Sequence, residues 1–153
     1  MSELTPSQLP ETVLRAALQQ WRQGGRAYTL PVVGRSMWPL LRDGDSVAVE
    51  TSGVVFAPGD IIVFRQAERW LVHRVLCIQG EGAEADLLTK GDFRRVCDGW
   101  VSAENVLGRV VARQRRGRSA RLDTRPLRWI GRLLAATFRL VAARPPSRGA
   151  SAK

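Results

Sequence analysis

Hydrophobic and polar positions divide the chain into three regimes. In the first, Val13, Leu14, Ala17, Leu18 and Trp21 recur at helical spacing on one stripe. Helix-start chemistry precedes them in Thr5-Pro6-Ser7-Gln8-Leu9-Pro10-Glu11, and Gly24-Gly25 stops them. The pattern predicts an amphipathic helix within residues 1–25, whose apolar face either docks on the rest of the chain or meets a membrane or partner. After the glycine pair the period changes. Residues 28–33, 46–50, 61–66, 70–79, 86–89 and 106–114 are short runs rich in Val, Ile, Leu and aromatics, separated by Gly, Pro and Asp. Six such runs predict a mainly β domain over 26–114, an antiparallel sheet in which Asp43-Gly44-Asp45 and Pro58-Gly59-Asp60 are turns leading into strands.

The third regime covers 115–153. Residues 113–125 carry six arginines against one acid, Asp123, and read as a solvated basic linker. Leu127, Trp129, Ile130, Leu133, Leu134, Phe138, Leu140 and Val141 then form a broad apolar surface interrupted by Arg128, Arg132 and Arg139. Three arginines in so short a stretch make membrane spanning expensive. The expected element is a basic amphipathic helix over 126–144, which either lies on an anionic membrane surface or packs back on the β domain with its arginines outward. Residues 142–153 read as a disordered tail.

Composition refines this picture in two places. A net charge of +10 suggests a polyanionic partner. Yet residues 1–108 hold eleven Lys or Arg against thirteen acids, and residues 109–153 hold thirteen against one. The basicity belongs to the end of the chain, and the body has no recognition helix or aromatic platform, which argues against nucleic acid. Lysine is scarce: Lys90 and Lys153 are the only two, so a lysine-based mechanism has little to draw on. Two cysteines, Cys77 and Cys97, are too few for a disulfide scaffold. Residues 2–25 contain no continuous apolar run of the secretory kind, so the expected compartment is the cytosol, peripheral on the inner face of the membrane if the terminal helix binds lipid.

Candidate chemistry centres on Gly34-Arg35-Ser36-Met37-Trp38-Pro39. A serine between a flexible glycine and a turn-forming proline can present its hydroxyl and backbone N–H together, as an acyl-transfer nucleophile must. Serine needs a neighbouring base, and the only histidine is His73, in a strand where it points opposite to Val72 and Arg74. A carboxylate behind the imidazole would hold its tautomer, and Asp92 in Lys90-Gly91-Asp92 and Asp98 in Cys97-Asp98-Gly99 both qualify by residue type. Nothing in this chemistry calls for a metal or cofactor.

Six boxes in fixed order carry a resemblance. Gly34-x-Ser36-Met37-x-Pro39, Arg42-x-Gly44-Asp45, Pro58-Gly59-Asp60-Ile61-Ile62-Val63-Phe64, Val72-His73-Arg74-Val75, Leu88-Thr89-Lys90-Gly91-Asp92 and Val106-Leu107-Gly108-Arg109-Val110 resemble type I signal peptidases over about residues 28–112. Bacterial members and the related LexA-like self-cleaving repressors use a Ser–Lys dyad, with lysine where this chain has His73. The sequence is therefore most similar to the endoplasmic-reticulum and archaeal subfamily, which uses Ser, His and Asp. That resemblance implies a coiled antiparallel sheet, Ser36 as nucleophile and His73 as general base. It assigns Asp98, six residues after Asp92, as the orienting acid and leaves Asp92 to support the loop. Gly34 and Met37 fall on the substrate side, and the substrate is a peptide or small-protein precursor from which a leader or signal is cut. The family's N-terminal anchor helix is replaced here by the shorter amphipathic one, and Asp92 is followed by Phe93-Arg94-Arg95 where relatives usually carry asparagines. The competing expectation is a non-catalytic binding module that uses its arginine-rich end on anionic membrane or nucleic acid.

Overall fold

Ile61-Ile62-Val63-Phe64 is the run that sets the architecture, because a strand apolar on both sides must be covered on both faces. The computed structural model describes residues 28–67 and 69–141; the helix expected within 1–25 and the tail 142–153 lie outside them. Ile61 and Val63 point into one core with Met37, Leu41, Val47 and Val49. Ile62 and Phe64 point into a second, with Val75, Leu87, Val101 and Val106. This alternation is the period-two geometry of a strand applied to a sheet curled enough to enclose side chains on either side.

Eight strands form one antiparallel sheet: β1 (Tyr28–Pro31), β2 (Ser46–Glu50), β3 (Ile61–Gln66), β4 (Arg69–Gln79), β5 (Asp86–Lys90), β6 (Gly99–Ser102), β7 (Val106–Arg115) and β8 (Arg118–Arg121). The spatial order is β1-β2-β7-β3-β4-β5-β6, with β8 also paired to β7. β7 is the seam of the sheet. It pairs with β2 along most of its length, with β3 at its first half and with β8 at its second. The mainly β, antiparallel expectation holds.

Two strands depart from the expected six. β6 has only four residues and too little alternation to announce itself. β8 lies in the arginine-rich stretch expected as a solvated linker. That expectation is corrected: β7 runs through Arg115, Arg116 and Gly117 turn the chain at positive φ, and β8 returns along it. The physical reason is that the arginines have partners. Arg115 forks onto Asp45 at 2.7 Å through both Nε and Nη2, and Arg121 forks onto Asp123.

Helix α1 (Arg125–Val141) packs against β4. Gly131 and Ala135 are its buried positions. A Cβ on Gly59 would lie 2.5 Å from the backbone nitrogen of Arg132, so helix and turn approach through glycine on both sides. Phe138 lies over the Lys90 ammonium, 3.8 Å from it. No helix among the described residues is long and apolar enough to cross a membrane.

Candidate active site

Ser36 lies in the loop between β1 and β2, in a series of turns that begins after Gly34 takes φ +92°, a conformation open to glycine. Short bonds hold the loop shut. The Gly34 N–H donates to Asp43 Oδ1 (2.9 Å), the Arg42 N–H to Asp45 Oδ2 (2.8 Å), and the Gly44 N–H to the Val32 carbonyl (3.1 Å). Side-chain oxygens of Asp beside glycine thus close the turns that the sequence marks. The Arg115 fork holds the Asp45 carboxyl below the usual carboxylate range.

A second loop, between β5 and β6, meets the first. The Phe93 N–H donates to the carbonyl of Ser36 (2.8 Å), and the Asp92 N–H to Met37 Sδ (3.4 Å). Trp38 and Phe93 meet edge to face at the rim, 5.5 Å between ring centres.

His73 stands on β4, paired in register with Ile62, and is 1% exposed. Its Nδ1 is 2.6 Å from Asp98 Oδ2. A carboxylate only accepts, so Nδ1 donates and the neutral ring keeps its lone pair on Nε2. Asp98 is 4% exposed and accepts a second bond from Thr89 Oγ1 at 3.0 Å, while its own N–H donates to the Thr89 carbonyl. Nε2 is buried and has no hydrogen-bond partner among the described residues, the Ser36 hydroxyl included. Its neighbourhood is set by Gly91. A Cβ there would lie 3.1 Å from Nε2 and 2.7 Å from the Ser36 carbonyl oxygen, so the backbone of Ser36 and the imidazole edge both pack against a residue without a side chain.

Of the six residues singled out in sequence, the structure brings Ser36, His73 and Asp98 to one place and sets Gly34 and Met37 beside them. Asp92 faces elsewhere. It takes a two-pronged grip from Arg74, whose Nε and Nη2 reach Oδ1 and Oδ2 at 2.8 and 2.7 Å, while Nη1 donates to the Gly59 carbonyl. Gly91 is the site residue that the sequence reading overlooked; its signal was present in the Lys-Gly-Asp box, but only the approach of the two loops shows why a side chain is excluded. Lys90, the only lysine among the described residues, is no substitute base for the serine. Thr89 faces Asp98, so its neighbour Lys90 faces the other side of the sheet, where it donates to the Gly91 carbonyl and lies against Phe138. Burial pushes its ammonium pKa down, and burial pushes the Cys97 thiol up. Cys77 and Cys97 are both free thiols. No cluster among the described residues could hold a metal ion.

An apolar groove of about 280 Å³ runs from Ser36 between β1 and β4, lined by Leu30, Val32, Met37, Trp70 and Leu71 among others. A curled antiparallel sheet with a serine loop at one end of such a groove defines a class, the serine peptidases of the signal-peptidase and LexA-like superfamily. Within it, the chain belongs to the peptidase S24-like family, whose model matches residues 5–88. The match takes in Ser36 and His73 and ends before Gly91, Asp98 and α1. No curated protein matches the sequence.

Proposed function

We propose that this serine peptidase is an endopeptidase that cuts a leader or signal segment from a peptide or small-protein precursor, through an acyl-enzyme on Ser36 with His73 as general base. The observation that carries the reading is a buried imidazole with its Nδ1 committed to Asp98 and its Nε2 unpartnered beside the serine loop. A buried polar atom left without a partner costs free energy, and it is tolerated where a reacting group will supply the partner. Catalytic hydrogen bonds are often long before substrate binds and tighten around it.

In this mechanism the Ser36 hydroxyl gives its proton to Nε2 as Oγ attacks the scissile carbonyl carbon. The oxyanion is held by backbone N–H groups including that of Ser36, since Gly34 has no hydroxyl to offer. His73 then passes the proton to the departing amine, leaving an ester on Ser36. Water, deprotonated at the same nitrogen, releases the acid. Asp98 keeps the ring in the tautomer that both steps need and stabilises the imidazolium between them. This is the Ser-His-Asp arrangement of the endoplasmic-reticulum and archaeal subfamily rather than a Ser–Lys dyad. The groove supports an extended, apolar segment ahead of the cut, with Gly34 and Met37 among the residues that line it.

The test is labelling by a serine-reactive active-site probe. Wild type is expected to be labelled at Ser36, and Ser36→Ala and His73→Ala to be folded and unlabelled. Labelling of His73→Ala at the wild-type rate would overturn the assignment of the base.

A further inference from the structure

Helix α1 turns three different faces outward and inward. Gly131, Ala135 and Phe138, at i, i+4 and i+7, meet the sheet. On the opposite side Trp129, Leu133 and Leu140 recur at i, i+4 and i+11, with Ile130 beside them, and Leu133 is 60% and Leu140 88% exposed. A contiguous exposed apolar row of this kind marks a surface that is covered in use. Along one flank run Arg125, Arg128, Arg132 and Arg139, and the helix contains no acid.

We infer that the outward face of α1 docks on an anionic bilayer surface, in the plane of the headgroups, while the inward face stays packed on the sheet. Charge complementarity selects this occupant. Seventeen residues, about 25 Å of helix, carry an arginine row with no acid to match a specific protein pattern, beside an apolar row including Trp of the kind that sits at the headgroup boundary. Four guanidinium groups need many negative charges on one plane, and a leaflet rich in acidic lipid offers them continuously. Nucleic acid would satisfy the arginines but leave Trp129, Leu133 and Leu140 in water. The inference does not rest on the peptidase mechanism, so either can fail without the other.

The experiment is co-sedimentation of the full chain with unilamellar vesicles of phosphatidylcholine alone or with about a third phosphatidylglycerol. Wild type should sediment with the anionic vesicles, at least tenfold more than with the neutral ones, and release in high salt. Trp129→Glu with Leu133→Glu should lose at least tenfold of that partition, and so should Arg132→Glu with Arg139→Glu. Both variants are exposed changes, and unaltered thermal melting and serine-probe labelling would show them folded. No binding to anionic vesicles, or equal binding by wild type and both folded variants, overturns the inference. So does a concentration-dependent dimer in sedimentation velocity that Leu133→Glu abolishes without any vesicle binding, since a second copy would then cover the face. Duplex DNA bound more tightly than vesicles, and equally by the Trp129→Glu, Leu133→Glu variant, overturns it as well.

Discussion

Gly91 is the position at which one methyl group should separate folding from activity. Its φ is not in the left-handed region, so alanine meets no intrinsic backbone penalty there; the obstacle is the Ser36 carbonyl at 2.7 Å and Nε2 at 3.1 Å. Gly91→Ala is expected to push the serine loop from the imidazole and lower kcat at least a hundredfold, with a modest effect on the melting temperature, since a misplacement of about 1 Å can cost that much. Burst kinetics on a peptide ester would measure it. Asp98→Asn should cost about 10³-fold or more in kcat with the fold intact, because an amide can present its N–H to Nδ1 and fix the wrong tautomer. A rate within tenfold of wild type would remove Asp98 from the mechanism. At this scale Ser36 and His73 were legible as residue types in a spaced pattern. Residue types alone left two nearby acids open and only the family resemblance favoured Asp98, because the choice depends on which side of a loop each carboxylate turns to: Asp98 toward Thr89 and His73, Asp92 toward Arg74.

At the scale of elements, Arg74 ties three of them together. Its guanidinium joins β4, the β5–β6 loop through Asp92, and the turn before β3 through Gly59, against which α1 packs. Arg74 is 4% exposed, so removing its charge strips Asp92 of its two-pronged ion pair in a nearly dry place. Arg74→Met should lower stability by about 3–5 kcal/mol, read from the urea midpoint, and Arg74→Met with Asp92→Leu should recover most of it. A double variant no more stable than the single would refute the pairing as the source of the loss. The longer strands were legible because apolar runs between glycine and proline are a strong signal. β6 and β8 were not: one has four residues, and the other reads Arg-Ser-Ala-Arg, with no apolar alternation to mark it as a strand, and it returns along the end of β7, where Arg115 is held by the distant Asp45.

Across the whole molecule, charge is distributed by position in the chain and then partly neutralised in space. The Asp45–Arg115 fork links residues 70 apart and pins the serine loop to the arginine hairpin. Because the folded carboxyl of Asp45 titrates below its unfolded value, the stability it adds is complete above about pH 4 and is lost as pH falls through the lower, folded pKa. Asp45→Asn should therefore destabilise the protein at pH 7 and flatten its stability curve below about pH 4, as urea titrations at stepped pH would show. An unchanged acid limb would mean that other carboxylates govern it. The sheet order has a consequence for how the chain is made. The serine loop belongs to the β1–β2 hairpin and the imidazole to the β3–β6 meander, and the hydrogen-bonded ladder joins the two only through β7. While a ribosome is still synthesising the chain, residues 1–105 already contain the alcohol, the imidazole and both acids, yet lack the strand that brings the two halves into register. A chain ordered this way is expected to stay inert on the ribosome until residues 106–115 have emerged, and labelling by a serine-reactive probe of chains truncated at residue 105 would refute that expectation.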